Sequence, residues 1–133
     1  MKTIKLTKVE LNSLSTLAWR ARKNSFVLGN TKVGACLLSN KGQYYTGCNV
    51  EHIFRSHDIH AEVNAISNMI VGGERRLKAI LIVAMRSKFT PCGSCMDWIM
   101  QHGGKNCIVG FQNKKGGEII FFRAGELMPH YPS

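Results

Sequence analysis

Leu77-Lys78-Ala79-Ile80-Leu81-Ile82-Val83-Ala84-Met85 is the stretch that decides the fold, because from Ala79 to Met85 seven apolar residues follow without a break. A half-exposed strand alternates apolar and polar residues, so this run reads as a strand buried on both faces. It also falls far short of the ~20 residues that a membrane-spanning helix needs. A doubly buried strand calls for helices on both sides of its sheet.

The flanking segments supply those helices. Thr7-Lys8-Val9-Glu10 has the form of a capping box, and Leu14, Leu17, Ala18 and Ala21 follow at helical spacing with Arg20, Arg22 and Lys23 in the last turn. This predicts a first helix from Lys8 to Lys23. Val33 to Leu38 and Tyr44 to Val50 flank Ser39-Asn40-Lys41-Gly42 and read as a hairpin. Val63, Ile66, Met69 and Ile70 recur at helical steps, which predicts a second helix from Ala61 to the stop at Gly72-Gly73. Thr90-Pro91 opens a third, from Cys92 to Gln101, ended by Gly103-Gly104. Cys107 to Phe111 and Glu118 to Phe122 read as further strands, with one more turn of helix around Glu126 to Met128. The order α-β-β-α-β-α-β-β predicts a mixed sheet covered by helices on both faces, and 133 residues fit one domain, 1–133.

Composition narrows the class. With 44% hydrophobic and 20% charged residues the chain is expected to fold, unlike charge-rich disordered sequences. Lys and Arg number 18 against 8 Asp and Glu, a net charge of +10, which admits nucleic acid, nucleotides or acidic surfaces as partners. The basic residues are spread out without a long block, which favours a solvated basic surface. Met1 to Lys8 never opens into the apolar stretch of a secretory signal, and a cytoplasmic protein is expected. Five cysteines, an odd number, point to thiol or metal chemistry and away from a disulfide framework.

The chemistry lies in His60-Ala61-Glu62 and, after 28 intervening residues, Pro91-Cys92-Gly93-Ser94-Cys95. Each half opens a predicted helix. Cys92 and Cys95 share one helix face, and a helix amino terminus favours thiolate. Two thiolates and the imidazole of His60 make a Cys₂His set for zinc, which leaves one tetrahedral position open, as catalytic sites require. Zinc supplies water acidic enough to give hydroxide near neutral pH. Glu62, two residues from His60, can then take a proton from that water, pass it to a ring nitrogen and protonate a leaving amine. The pattern matches the zinc deaminase signature, H-x-E followed by P-C-x-x-C. The competing readings are a closed structural site with Cys48, His52 or His57 as fourth ligand, and Cys92 and Cys95 as plain buried residues. His52 and His57 read as surface or core imidazoles, and Cys36 and Cys107 as core residues.

The chain resembles the cytidine deaminase family from about Lys8 to Pro129. Val33-Gly34-Ala35-Cys36-Leu37-Leu38, Tyr45-Thr46-Gly47-Cys48-Asn49-Val50-Glu51, His60-Ala61-Glu62, Pro91-Cys92-Gly93-Ser94-Cys95 and Glu126-Leu127-Met128-Pro129 fall in the family order. The resemblance implies a three-layer α/β/α fold with a five-stranded mixed sheet, assembled as a homotetramer, with a dimer as the alternative. It implies that His60, Cys92 and Cys95 hold one Zn²⁺ per chain, that Asn49 and Glu51 hydrogen-bond the sugar hydroxyl, and that Ala61 gives backbone contacts to the pyrimidine. With Glu62 as the catalytic acid and base, the expected reaction is hydrolytic deamination of cytidine, deoxycytidine or a related cytosine nucleoside. The alternatives are an aminonucleoside antibiotic, or cytosine in a polynucleotide, which the lack of a basic stripe disfavours.

Three positions depart from the family. His60-Ala61-Glu62-Val63 stands where short members carry Cys-Ala-Glu-Arg. Three thiolates on Zn²⁺ sum to −1, which an adjacent Arg offsets, whereas one imidazole and two thiolates sum to zero and need no such cation. Met96-Asp97 replaces Arg-Gln. Thr31 stands where an aromatic ring stacks on the base, so the pocket is expected either to open toward substituents at C5 or N4 or to borrow the ring of Phe26 or Phe54.

Overall fold

The computed structural model describes residues 6–87 and 89–132. Among them five strands form one sheet: β1 (Val33–Ser39), β2 (Tyr44–Cys48), β3 (Leu77–Ala84), β4 (Ile108–Gln112) and β5 (Ile119–Arg123), in the order β2-β1-β3-β4-β5. The stretch that opens the sequence reading, β3, is therefore the central strand. It runs parallel to β4, and the other neighbouring pairs are antiparallel. The helices are α1 (Lys8–Arg22), α2 (Ala61–Val71), α3 (Gly93–Gly103) and the short α4 (Ala124–Leu127).

Alternation along β1 and β3 sorts their side chains between two cores. Cys36, Leu38, Ala79, Leu81 and Val83 pack against Leu14, Ala18 and Trp19 of α1. Ala35, Leu37, Ile80 and Ile82 face the other way, onto Ala65, Ile66 and Met69 of α2 and Ile99 of α3. Each fully buried Leu or Ile contributes ~1.5 to 3 kcal/mol against its exposed state, which explains why β3 shows no polar alternation. The result is the expected three-layer α/β/α fold with a five-stranded mixed sheet.

The polar contacts fix how the helices sit. The capping box is present, with Glu10 N–H donating to Thr7 Oγ1 at 3.0 Å and Thr7 N–H donating to Glu10 Oε1 at 2.9 Å. Buried Gln112 accepts from Trp19 Nε1 at 2.7 Å and Ser15 Oγ at 2.8 Å, which pins α1 to β4. On the edge strand β2, Cys48 N–H donates to Asn64 Oδ1 at 3.0 Å and Thr46 C=O accepts from Asn68 Nδ2 at 2.7 Å. Two side chains one turn apart on α2 thus cover an edge that would otherwise be open to pairing. Gly47 permits this approach, because a Cβ there would land on the backbone of Ala61 and Ala65.

Element ends depart from expectation by one to two residues. Lys23 caps α1 instead of belonging to it, and α3 starts one residue later and ends two later, with Cys92 as its N-cap. β4 and β5 each shift one residue onward, and α4 begins earlier because Ala124 N–H donates to Cys107 C=O. β2 ends at Cys48, since Val50 leaves the ladder to bridge Phe26 and Ile59. A 3-10 turn at Arg55–His57 was not foreseen.

Candidate active site

Two helix starts meet at one end of the sheet. His60 is the N-cap of α2 and Cys92 the N-cap of α3, with Cys95 in the first turn that follows. His60 Nδ1 lies 3.2 Å from Cys95 Sγ and 3.5 Å from Cys92 Sγ, and the three ligand atoms all fall within 4.8 Å of one another. Zinc bonds of ~2.3 Å to sulfur and ~2.0 to 2.1 Å to nitrogen at the tetrahedral angle put ligand atoms ~3.5 to 3.8 Å apart, so the cluster has the size of a zinc site. Cys48, His52 and His57, the candidates for a fourth ligand, do not join it.

The donor set also has the right charge chemistry. Cys95 is fully buried, and burial, reinforced by the nearby Glu62 carboxylate, pushes its thiol well up. A buried thiolate beside a carboxylate needs a cation, and a divalent ion binding two sulfurs deprotonates them outright. Glu62 is itself 6% exposed; burial pushes its carboxyl up, while its own backbone N–H, His60 and the Cys95 thiol pull the other way.

A cavity of about 230 Å³ opens beside the cluster, bordered by His60, Ala61, Glu62 and Cys92. Its floor comes from the sheet, where Val33 at the start of β1 pairs with Ala84 at the end of β3. Asn49, Glu51 and Thr31 line its far side. Asn49 Oδ1 accepts from Val33 N–H at 2.8 Å and its Nδ2 donates to Thr31 C=O at 2.9 Å, leaving one amide N–H and one lone pair unused. Glu51 Oε1 accepts from the N–H groups of Leu28 at 2.7 Å and Gly29 at 2.9 Å, and these bonds hold its carboxyl below the usual range. His60, Cys92, Cys95, Glu62, Ala61, Asn49, Glu51 and Thr31 therefore all border one cavity or belong to the side-chain cluster beside it.

Sequence reasoning passed over several others that border it, among them Arg55, Asp58, Arg86 and Phe89. Arg55 bridges Glu51 and Asp58, at 3.2 Å and 2.8 Å. Phe89 stands two residues before Pro91, and an aromatic so close to a predicted ligand loop was the signal available. Phe26 and Phe54, the rings expected to replace Thr31, do not border the cavity and are 58% and 67% exposed.

Residues 9–111 match the family model described as the cytidine and deoxycytidylate deaminase zinc-binding region. The chain belongs to this deaminase family. It is 31% identical over 123 residues to a cytidine deaminase of Sporosarcina psychrophila, covering 91% of this chain and 90% of that protein. A crystal structure of cytidine deaminase from Burkholderia pseudomallei superposes with a TM-score of 0.85 at 29% identity, over 94% of this chain and 98% of that one. That from Mycobacterium leprae gives 0.78 at 29% identity, over 92% and 100%. As a member of the deaminase family the chain is a zinc-dependent hydrolytic enzyme, and its His-Cys-Cys cluster fits one Zn²⁺. Among the described residues no helix is long and apolar enough to cross a membrane.

Proposed function

We propose that residues 1–133 act as one zinc deaminase domain that converts cytidine and deoxycytidine to the uridine products. The observation that carries this reading is the buried carboxyl of Glu62 set against the His60, Cys92 and Cys95 cluster at the edge of a cavity. His60, Cys92 and Cys95 would hold the zinc, which supplies water acidic enough to act as hydroxide at neutral pH. Glu62 would take one proton from the attacking water as its oxygen bonds to C4 and deliver it to N3 of the base, then take the second proton from the C4 hydroxyl and give it to the amine, so that the C4–N bond breaks, ammonia leaves and the carbonyl forms. Its burial supports the role, since desolvation raises its carboxyl and so favours the proton-carrying form that a shuttle passes through. Ala61 offers backbone groups to the pyrimidine edge, and the spare donor of Asn49 and the Oε2 side of Glu51 receive the sugar hydroxyl.

Small Thr31 at the cavity wall favours tolerance of substituents at C5 or N4. Phe26, Leu28, Ile53, Phe54 and Ile59 are large apolar residues left exposed between α1 and α2 in the chain, which supports assembly of several copies, a homotetramer in this reading. Ammonia release from cytidine, deoxycytidine, their phosphates, cytosine, an aminonucleoside antibiotic and a single-stranded oligonucleotide tests the assignment. The nucleosides are expected to react fastest. Turnover confined to the oligonucleotide would overturn the reading.

A further inference from the structure

Thr31 leaves the expected stacking position without a ring, yet one aromatic side chain other than His60 does border the cavity among the described residues: Phe89. It is held there from behind. Phe89 packs against the core beneath α2 and α3, its ring centroid 5.1 Å from that of Phe111 at 48°. Phe111 is 2% exposed, belongs to β4 and stacks in turn on Phe122 at 6.3 Å. The Arg86 guanidinium lies 5.7 Å from the Phe89 centroid and also borders the cavity. A ring so braced keeps its position without the ordering cost that a surface Phe such as Phe54 would meet on binding.

Phe89 sits at position −2 from Pro91 on the loop that carries Cys92, so it approaches from the β3–α3 side, whereas Thr31 approaches from the segment before β1. We propose that Phe89 is the specificity-determining aromatic wall for the cytosine ring, moved from position 31 to the zinc-ligand loop, with Arg86 as its positioning residue. This rests on the nucleoside deaminase reading above. The relocation changes which substituents fit, because a small side chain stands at Thr31 and a ring at Phe89 on the wall of one cavity. The Arg86 cation faces the same ring and holds its orientation by cation–π attraction.

The test uses the zinc-loaded enzyme with cytidine. Phe89→Leu keeps apolar bulk but removes the ring, and KM is expected to rise about ten-fold with kcat little changed, in the range that base stacking on an aromatic side chain contributes. Phe89→Tyr should keep the wild-type KM, and adding Thr31→Phe to Phe89→Leu should recover much of the loss. A KM for Phe89→Leu within two-fold of wild type, or a double variant no better than the single one, overturns the proposal. Thr31→Phe alone is a second arm that does not depend on Phe89→Leu folding. Its KM for cytidine should not fall, because a ring is already in place, and a ten-fold fall would overturn the assignment. Wild-type turnover, measured alongside, separates the two levels: no turnover of any nucleoside sinks the deaminase reading and this one with it, whereas turnover indifferent to Phe89 sinks this one alone.

Discussion

Arg55 reaches back four residues to Glu51, with Nη2 3.2 Å from Oε2, while its Nε holds Asp58 Oδ2 at 2.8 Å. The pair closes a loop that begins at Asn49 and ends at the metal cluster. Its stability value is small, since Arg55 is 60% exposed and solvent screens such pairs. Its geometric value is larger, because Glu51 borders the cavity. Arg55→Ala should leave the unfolding midpoint nearly unchanged and raise KM for cytidine several-fold with kcat preserved. Steady-state kinetics beside a thermal melt checks this.

Glu62→Gln should keep the fold and the zinc, since the amide is nearly isosteric, but cannot shuttle protons. A rate loss of at least ~10² to 10⁴ is expected, typical of removing a general acid-base group. Single-turnover kinetics with metal content measured on the same sample decides it.

That His60, Cys92, Cys95 and Glu62 come together was legible in the sequence because each half of the site is contiguous, each half starts a helix, and the two halves match the zinc deaminase signature. Thr31, Asn49 and Glu51 were legible through family order. Phe89, Arg55 and Asp58 were not, because their place in the cavity depends on how two loops run, and no periodicity records a loop path.

Gly47 of β2 lies against α2, and a Cβ there meets main-chain atoms of Ala61 and Ala65 that no rotamer change can move. Gly47→Ala should therefore cost ~1 to 3 kcal/mol, as overpacked sites do, and should also shift the helix start that carries His60. Denaturant unfolding together with zinc affinity measures both effects.

Glu10, Glu51 and Asp58 all have carboxyls held below their usual range, first by backbone N–H groups: that of Thr7 for Glu10, those of Gly29 and Leu28 for Glu51, and that of His52 for Asp58. A depressed folded pKa gives stability that is complete above the unfolded value and is lost as pH falls through the folded one. Thermal midpoints should thus fall below the ordinary carboxylate range on account of these groups. The deficit of Glu10→Gln relative to wild type should be full near neutral pH and shrink as pH drops through that window.

The central claim is that the His60, Cys92 and Cys95 cluster and Glu62 together deaminate a cytosine nucleoside. The most direct measurement is uridine and ammonia produced from cytidine by purified protein whose zinc content is known. One zinc per chain with equimolar uridine and ammonia is the predicted result, and the Cys92→Ala, Cys95→Ala double variant should lose both metal and product. Full zinc occupancy in that variant, or a fully zinc-loaded wild-type protein that makes no uridine from cytidine and none of the deoxy product from deoxycytidine, would contradict the account.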